Sequence, residues 1–226
     1  PDKNVWTFMR VENDSVVTGY RQTNGWGRTR TVYFAMVFSK PFKEYGFQNN
    51  SKKQVYRGFW RKFDQTKNFP EIAGTQVRAH FDFNTTDGGQ IKIKFAISPV
   101  STANALENLR TEIPGWNFNV VKKQGQDAWE KELNKMVITG DEETKQNFYT
   151  SVYHTYINPT VYMDVNGEYK GLDQNTHKAT GFTNYTTFSL WDTHRALHPL
   201  FNIIQPRRNA DMINSMLAHY DQSAHH

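Results

Sequence analysis

The segment QIKIKFAISPVSTANALENLRTEI, residues 90–113, contains the point at which the residue pattern of the chain changes. Up to Ser98, apolar and polar residues alternate, as they do in a half-buried β-strand. After Pro99, apolar residues recur three or four positions apart, as they do along one face of an α-helix. These residues are Ala105, Leu106, Leu109 and Ile113. We therefore predict β-structure before residue 99 and helices after it.

The alternation also occurs in three earlier segments, DSVVTGYRQ (14–22), TVYFAMVFS (31–39) and QVRAHFDFN (76–84). An Asp87–Gly88 step separates the last of these from residues 90–98. This dipeptide is typical of hairpin turns because glycine accepts positive φ, so we predict a hairpin here. Short strands without an intervening helical pattern indicate an antiparallel β-sandwich over residues 1–100.

The second half of the chain carries helical patterns. They cover residues 101–113, the segment after Pro114–Gly115, residues 141–157 and 188–204, and the chain from Pro206 onward. Between them, the polar residues 158–186 are interpreted as one long loop, and loops of this length are usually functional. The chain is thus predicted to be all-β and then all-α.

Composition and charge exclude several classes of protein. A mean hydropathy of −0.76 and the lack of an apolar run of roughly 20 residues exclude a membrane span. The formal charge is +5, but 27 basic residues are interleaved with 22 acidic ones, so we do not expect a nucleic-acid partner. Without cysteine the chain has neither disulfides nor thiolate metal sites. Its 15% aromatic content suits a sugar-binding surface and equally an ordinary β-rich protein.

The segment TFSLWDTHRALHPL, residues 187–200, contains the strongest candidate site. On a continuous helix, Trp191, Asp192 and Arg195 would share one face. Pro199 lacks an N–H donor, so a kink or a helix end is expected near it. One interpretation is a buried tryptophan with an Asp192–Arg195 ion pair. In the other, the carboxylate accepts hydrogen bonds from two adjacent hydroxyls of a substrate while the indole packs on the apolar face of that substrate.

The residues of this segment closely resemble the signature of glycoside hydrolase family 92, the calcium-dependent exo-acting α-mannosidases. The resemblance extends to GWGR (25–28), ISPVSTANALENLRTEIPGWNF (97–118) and FYTSVYHTYINPTVYMDVNGEYKG (148–171). It implies an antiparallel β-sandwich, then a helical linker over residues 101–140, then the first helices of an (α/α)6 barrel over residues 141–226. The implied reaction is inverting, calcium-dependent hydrolysis of terminal α-linked mannose in N-glycans or mannans.

The resemblance also implies roles for individual residues. Trp191 and Asp192 match positions of the subsite that holds the terminal mannose, and Trp26 resembles an aromatic residue that reaches the same sugar from the sandwich. Arg195 is expected to orient Asp192. His194 and His198 are interpreted as structural.

No part of the chain resembles the family's general acid, base or calcium ligands, so those residues are expected downstream of His226. The acidic Asp141, Glu142 and Glu143 are interpreted as a helix start. We therefore expect a fragment that is inactive alone and whose partners are a mannose-containing glycan and the remainder of the same polypeptide. A secreted, periplasmic or cell-surface location is expected by resemblance. The alternative is a non-catalytic carbohydrate-binding or scaffold module.

Overall fold

The structure, a computed structural model, describes residues 3–25, 29–50 and 67–223. The chain divides into two compact units, Pro1–Trp116 and Asn117–His226, which we call the β unit and the helical unit. The described strands of the β unit precede the main helices, which confirms the predicted order. Among the described residues, no helix has the length and apolar character needed to cross a bilayer.

The described part of the β unit contains two antiparallel sheets. Its strands are β1 (Lys3–Asn13), β2 (Val16–Asn24), β3 (Arg30–Phe38), β4 (Phe42–Asn49), β5 (Glu71–Gly74), β6 (Val77–Phe83) and β7 (Ile93–Ser98). Five of them form one sheet in the order β5-β1-β2-β3-β7, and β4 pairs with β6 in the other. The predicted strands at 14–22, 31–39, 76–84 and 90–98 are present with shifted ends.

The hairpin predicted around Asp87–Gly88 is wrong. Strand β6 pairs with β4, matching Phe83 to Phe42, whereas β7 pairs with β3 in the other sheet. Gly88 does have a positive φ of 63°. The turn is therefore predicted correctly as a local conformation, but the nine residues between β6 and β7 let the chain pass from one sheet to the other.

The core of the β unit lies between the two sheets. Val17 and Phe38 come from the larger sheet and Phe42 from the smaller one, and all three are buried. The rings of Phe38 and Phe42 lie 5.2 Å and 5.0 Å from that of Phe81, centroid to centroid, within the range of favourable aromatic pairs. Ring-to-ring contacts between sheets thus hold the sandwich together.

Strand β7 buries the face opposite to the one that its apolar pattern suggests. Ile93, Phe95 and Ile97 point to one face but remain about half exposed. Lys94 and Ser98, on the other face, are buried. The reason is helix α1 (Thr102–Glu112), which packs against β7 and β3.

Helix α1 is fixed at both ends by side chains. Ser101 is the N-cap, and its Oγ accepts a hydrogen bond of 3.0 Å from the backbone N–H of Asn104. At the other end, the Nζ of Lys94 donates to the carbonyl oxygens of Ile113 at 2.7 Å and Pro114 at 3.1 Å. Lys94 is therefore buried because its ammonium group satisfies carbonyls at the end of the helix.

The helical unit combines five helices with short strand pairs in its described residues. The helices are α2 (Phe118–Leu133), α3 (Glu142–Thr155), α4 (Leu190–Thr193), α5 (Leu197–Ile204) and α6 (Pro206–Asp221). The strands are β8 (Thr160–Val161), β9 (Glu168–Lys170), β10 (Thr176–Lys178) and β11 (Tyr185–Thr186), which pair as β8 with β11 and β9 with β10. The predicted loop over residues 158–186 is therefore partly ordered by backbone pairing.

The core of the helical unit is small. Its main apolar cluster consists of the buried side chains of Tyr185, Phe201 and Met212, with Tyr156 packed against Phe201 at a ring distance of 5.7 Å. Val152 and Tyr169 are buried outside this cluster. Helix α2 has no buried residue. Helix α6 buries Met212, but Leu217 on the same helix is exposed.

A polar cluster joins the end of α2 to the start of α6. Glu132 accepts hydrogen bonds from Lys135 at 2.8 Å and from the side-chain amide of Gln205, and Arg208 lies 3.4 Å away. Burial acts to raise the pKa of Glu132, but the bonds from Lys135 and Gln205 outweigh it and lower that pKa below its usual value. The cluster ties together helices that share little apolar contact.

Candidate functional site

The segment 187–200 forms two helices rather than the predicted single one. Helix α4 ends at Thr193 and α5 begins at Leu197, with Ala196 between them at φ −126° and ψ −54°. Pro199 is the third residue of α5, where a backbone N–H would have no partner inside the helix. The chain therefore breaks before Pro199 and starts a new helix, instead of kinking at the proline.

The indole of Trp191 is 89% exposed. This contradicts the interpretation of Trp191 as a core residue. The ring is therefore open to contact by a ligand, which packing inside the unit would prevent.

The carboxylate of Asp192 is held by a neighbour on its own turn. The Oγ of Ser189 donates a hydrogen bond of 2.5 Å to Oδ2 of Asp192. Among the described residues no ion pair joins Asp192 to Arg195, which is itself exposed. A direct ion pair by which Arg195 would orient Asp192 is thus not formed among these residues, because the break after α4 ends the helical spacing that would bring the two side chains together. A direct role of Arg195 in substrate binding stays a prediction.

A cavity of about 410 Å³ opens beside Asp192. Its lining consists of Asn158, Pro159, Thr187, Ser189, Asp192 and Thr193. Hydroxyl, amide and carboxylate groups of this kind suit a ligand that carries several hydroxyl groups. Asp192 is the one carboxylate among these lining residues, so the cavity offers no acid–base pair of its own.

A larger cavity, of about 560 Å³, lies against the core of the helical unit. Aromatic side chains such as Trp129, Tyr156 and Tyr185 line it, with Glu132 and Arg208 among the other lining residues. Burial raises the pKa of Tyr185, so that its hydroxyl stays protonated over the ordinary pH range. Nothing in the sequence pattern predicts this cavity.

The two histidines near the site have local partners, as predicted. The Nδ1 of His194 lies 2.8 Å from the carbonyl oxygen of Leu190, and the Nδ1 of His198 lies 2.8 Å from Oδ1 of Asn209. Both contacts are within the helical unit and hold its backbone or side chains in place.

Acidic residues elsewhere in the helical unit serve local structure. Asp141 is the N-cap of α3 and accepts a hydrogen bond of 2.7 Å from the backbone N–H of Thr144, as its interpretation as a helix start predicts. Asp173 accepts a hydrogen bond from the backbone N–H of Asn175 and contacts His177, and these bonds lower its pKa to about 2. In the part of the chain that the structure describes, no three His, Asp or Glu side chains group as metal ligands would.

One predicted site residue cannot be placed. Trp26 lies outside the described residues, so its reach toward a sugar stays a prediction. Conversely, Ser189 contacts Asp192 directly and was not singled out from the sequence. Its position three residues before the aspartate, where a turn brings the two side chains together, is the signal that could have indicated it.

An exposed indole, an oriented carboxylate and a hydroxyl-lined cavity define a class of site suited to carbohydrate. The comparison with known families then identifies the family. The glycosyl hydrolase family 92 N-terminal domain matches residues 1–98, and the catalytic domain of the same family matches residues 104–225. The chain belongs to glycosyl hydrolase family 92, which confirms the resemblance.

Solved structures of this family share the fold. The chain is 44% identical to the family GH92 alpha-mannosidase BT3965 from Bacteroides thetaiotaomicron, with a TM-score of 0.88 over 99% of this chain and 30% of that one. Another structure of BT3965 is a complex with mannoimidazole. The inverting mannosidase BT2199 from the same species is 25% identical, with a TM-score of 0.83 over 97% of this chain and 29% of that one.

The chain spans about 30% of the length of these solved relatives. Among proteins with curated descriptions, none matches it significantly. The match to solved family 92 structures, together with the strands and helices described above, confirms the predicted antiparallel β part followed by a helical part.

Proposed function

We propose that this chain is the part of an α-mannosidase that contributes one wall of the pocket for a terminal α-linked mannose. The observation that carries the proposal is the 89% exposed indole of Trp191 next to the carboxylate of Asp192. Asp192 accepts hydrogen bonds from two adjacent hydroxyls of the sugar, and Trp191 packs against its C–H face. The mannosidases among the solved relatives support mannose as the sugar.

The cleavage step requires residues from outside these 226. An inverting glycosidase uses two carboxyl groups roughly 6.5–9.5 Å apart, one as the acid and one as the base that activates water. The cavity beside Asp192 has one carboxylate among its described lining residues. The remainder of a longer polypeptide, comparable to the 70% of BT3965 that this chain does not span, therefore supplies the acid and the base.

The calcium ligands likewise come mainly from outside these 226 residues. Calcium binds six to eight oxygen ligands, and the described residues do not gather even three carboxylate or imidazole groups. The proposed calcium site is thus built mainly by the remainder of the polypeptide. The substrates are N-glycans or mannans, and the enzyme acts at the cell surface, in the periplasm or outside the cell.

A second candidate is a carbohydrate-binding module without hydrolysis. The single carboxylate of the cavity favours it, since one carboxylate is enough to bind hydroxyls but not to cleave a glycosidic bond by the two-carboxylate mechanism. The two candidates differ in whether a longer polypeptide that contains this sequence releases mannose.

The test uses the longer polypeptide, called here the intact enzyme, and the 226-residue chain side by side. We expect the intact enzyme to release mannose from an aryl α-mannoside, and the chain alone to release none. Asp192→Asn should lower kcat/KM about a hundredfold, because hydrogen bonds to a charged group are lost. Trp191→Ala should lower it about tenfold.

The matched control is Phe118→Ala, which removes another exposed aromatic ring of the same unit. It should leave kcat/KM within about twofold of the original. Mannose binding without release by the intact enzyme would favour the module instead. Release of mannose by the 226-residue chain alone would refute the proposal that the acid and the base come from outside it.

A further inference from the structure

The first residue of interest beside Asp192 is Ser189, which occupies the N-cap position of α4. A serine at this position usually accepts a hydrogen bond from a backbone N–H of the first turn. Ser189 makes no such capping bond with its side chain. Its hydroxyl instead donates to Oδ2 of Asp192 at 2.5 Å. The side chain of Ser189 therefore bonds to the Asp192 carboxylate and does not cap the helix.

This bond restricts a side chain that is otherwise loose. Rotation of an aspartate carboxylate about its last torsion has a broad, shallow profile. Asp192 is exposed, so packing does not fix that rotation. Among the described residues, Ser189 is the one whose side chain bonds to this carboxylate, and it engages Oδ2 alone. Oδ1 is left to accept a hydrogen bond from a ligand.

The turn that carries both residues is itself held by further bonds. The backbone N–H groups of Asp192 and Thr193 donate to the carbonyl oxygen of Ser189 at 3.0 Å and 3.1 Å. The Oγ1 of Thr193 donates to the same carbonyl oxygen at 3.1 Å. Ser189 thus stays in place relative to Asp192, and its hydroxyl can fix one orientation of the carboxylate.

We propose that Ser189 is a positioning residue for substrate binding, because its hydroxyl holds the Asp192 carboxylate in the orientation that meets the sugar hydroxyls. This inference rests on the proposed function and deepens it. Without the hydroxyl, Asp192 stays charged and present but must be ordered by the sugar at the moment of binding, which weakens binding.

The test compares Ser189→Ala and Ser189→Thr in the intact enzyme. Alanine removes the donor, and threonine keeps it. We expect Ser189→Ala to raise KM for an aryl α-mannoside about tenfold, the worth of one hydrogen bond, with kcat changed less than about twofold. Ser189→Thr should restore KM to within about threefold of the original. The control is Ser151→Ala, an exposed serine of α3 that bonds only to a backbone carbonyl oxygen.

Monodeoxy mannosides separate positioning from a merely structural role. If Ser189 acts through Asp192, the loss caused by Ser189→Ala should be smaller for each of the two analogues that lack a hydroxyl bound by Asp192 than for the other analogues. A structural role predicts the same loss for every analogue. An unchanged KM in Ser189→Ala, or equal losses across the analogues, would overturn the proposal.

Crystal structures of the original protein and of Ser189→Ala keep this test apart from that of the proposed function. If the intact enzyme releases no mannose, the proposed function has failed. The positioning bond is then judged by whether Ser189→Ala frees the Asp192 carboxylate to rotate. A carboxylate that stays in the same single orientation without the serine hydroxyl would overturn the inference on its own.

Discussion

In the β unit, Val17, Phe38 and Phe42 are buried between two sheets and surrounded by further aromatic rings. In the helical unit, α2 buries no residue, and Ile203 of α5 is 80% exposed. The β unit therefore holds itself together with apolar contacts across its sheets. The helical unit relies on a small core and on the Glu132 polar cluster.

The two units differ in how their strands and helices cover apolar side chains. In the two sheets, β1–β2 and β2–β3 pair consecutive strands, whereas β5–β1, β3–β7 and β4–β6 pair strands that are further apart in sequence. Amphipathic helices need other helices to cover their apolar sides. On α5 and α6 the apolar side chains of Ile203, Ile213 and Leu217 remain exposed, so the described helices do not cover one another on that side.

The largest expected effect tests the small core of the helical unit. Phe201→Ala should lower the free energy of unfolding by about 3–5 kcal/mol, because Phe201 is 1% exposed and packs against Tyr156. Urea unfolding followed by circular dichroism at the helix band would measure it. The exposed Phe118→Ala should change it by less than about 0.5 kcal/mol. Equal losses for both variants would show that the unit has no core of this kind.

A pair of glycines contrasts the two units directly. A Cβ on Gly19 in β2 would lie 2.1 Å from the carbonyl oxygen of Phe8 and 2.7 Å from the ring of Phe34. Gly19→Ala should therefore cost about 1–3 kcal/mol of unfolding free energy. A Cβ on Gly125 in α2 meets nothing within 4 Å, so Gly125→Ala should stabilise by about 0.5–1 kcal/mol. Thermal unfolding of both variants tests the contrast, and a stable Gly19→Ala would contradict it.

A smaller effect is expected at the helix that packs on the sheet of the β unit. Ser101→Ala removes the N-cap of α1 and should cost about 1 kcal/mol. Ser101→Asp should keep most of the stability, because aspartate also accepts the backbone N–H bond. Urea midpoints of the three proteins provide the measurement. Equal midpoints for the alanine and aspartate variants would argue against capping.

The smallest expected effect is a pH dependence in the helical unit. Burial lowers the pKa of His219, on α6 beside Phe188, below its ordinary value of 6.5. The unfolded chain therefore takes up this proton first, and stability falls as the pH drops through 6.5 and below. The midpoints of urea unfolding at pH 7.5 and 5.5 should differ less in the His219→Gln variant than in the unchanged protein. The same difference in both proteins would rule out His219 as the cause.

Features that depend on residues close in sequence, such as helix starts and turns, are predicted well. The start of α1 at Ser101, the positive φ at Gly88 and the start of α6 at Pro206 all follow from local chemistry and are present in the structure. Local chemistry does not determine which strands pair with each other. Strands β6 and β7 follow one another around Gly88 but pair with different strands, since pairing depends on the whole sheet.

In the candidate site too, local sequence patterns predict some features and not others. The exposed Trp191 and the nearby Asp192 are found from the residues and the family resemblance. The break between α4 and α5 is not, because a helical pattern continues through it and Pro199 fits equally well in the first turn of a second helix. That break is why Ser189, and not Arg195, contacts the aspartate.

The turn from Ser189 to His194 is built from bonds that span no more than four residues, including those from the N–H groups of Asp192, Thr193 and His194. Contacts so close in sequence have a low contact order and little loop-closure entropy to overcome. The shape of the turn therefore depends on these few residues and not on contacts with distant segments. The direction of the Trp191 side chain is thus set within the turn itself.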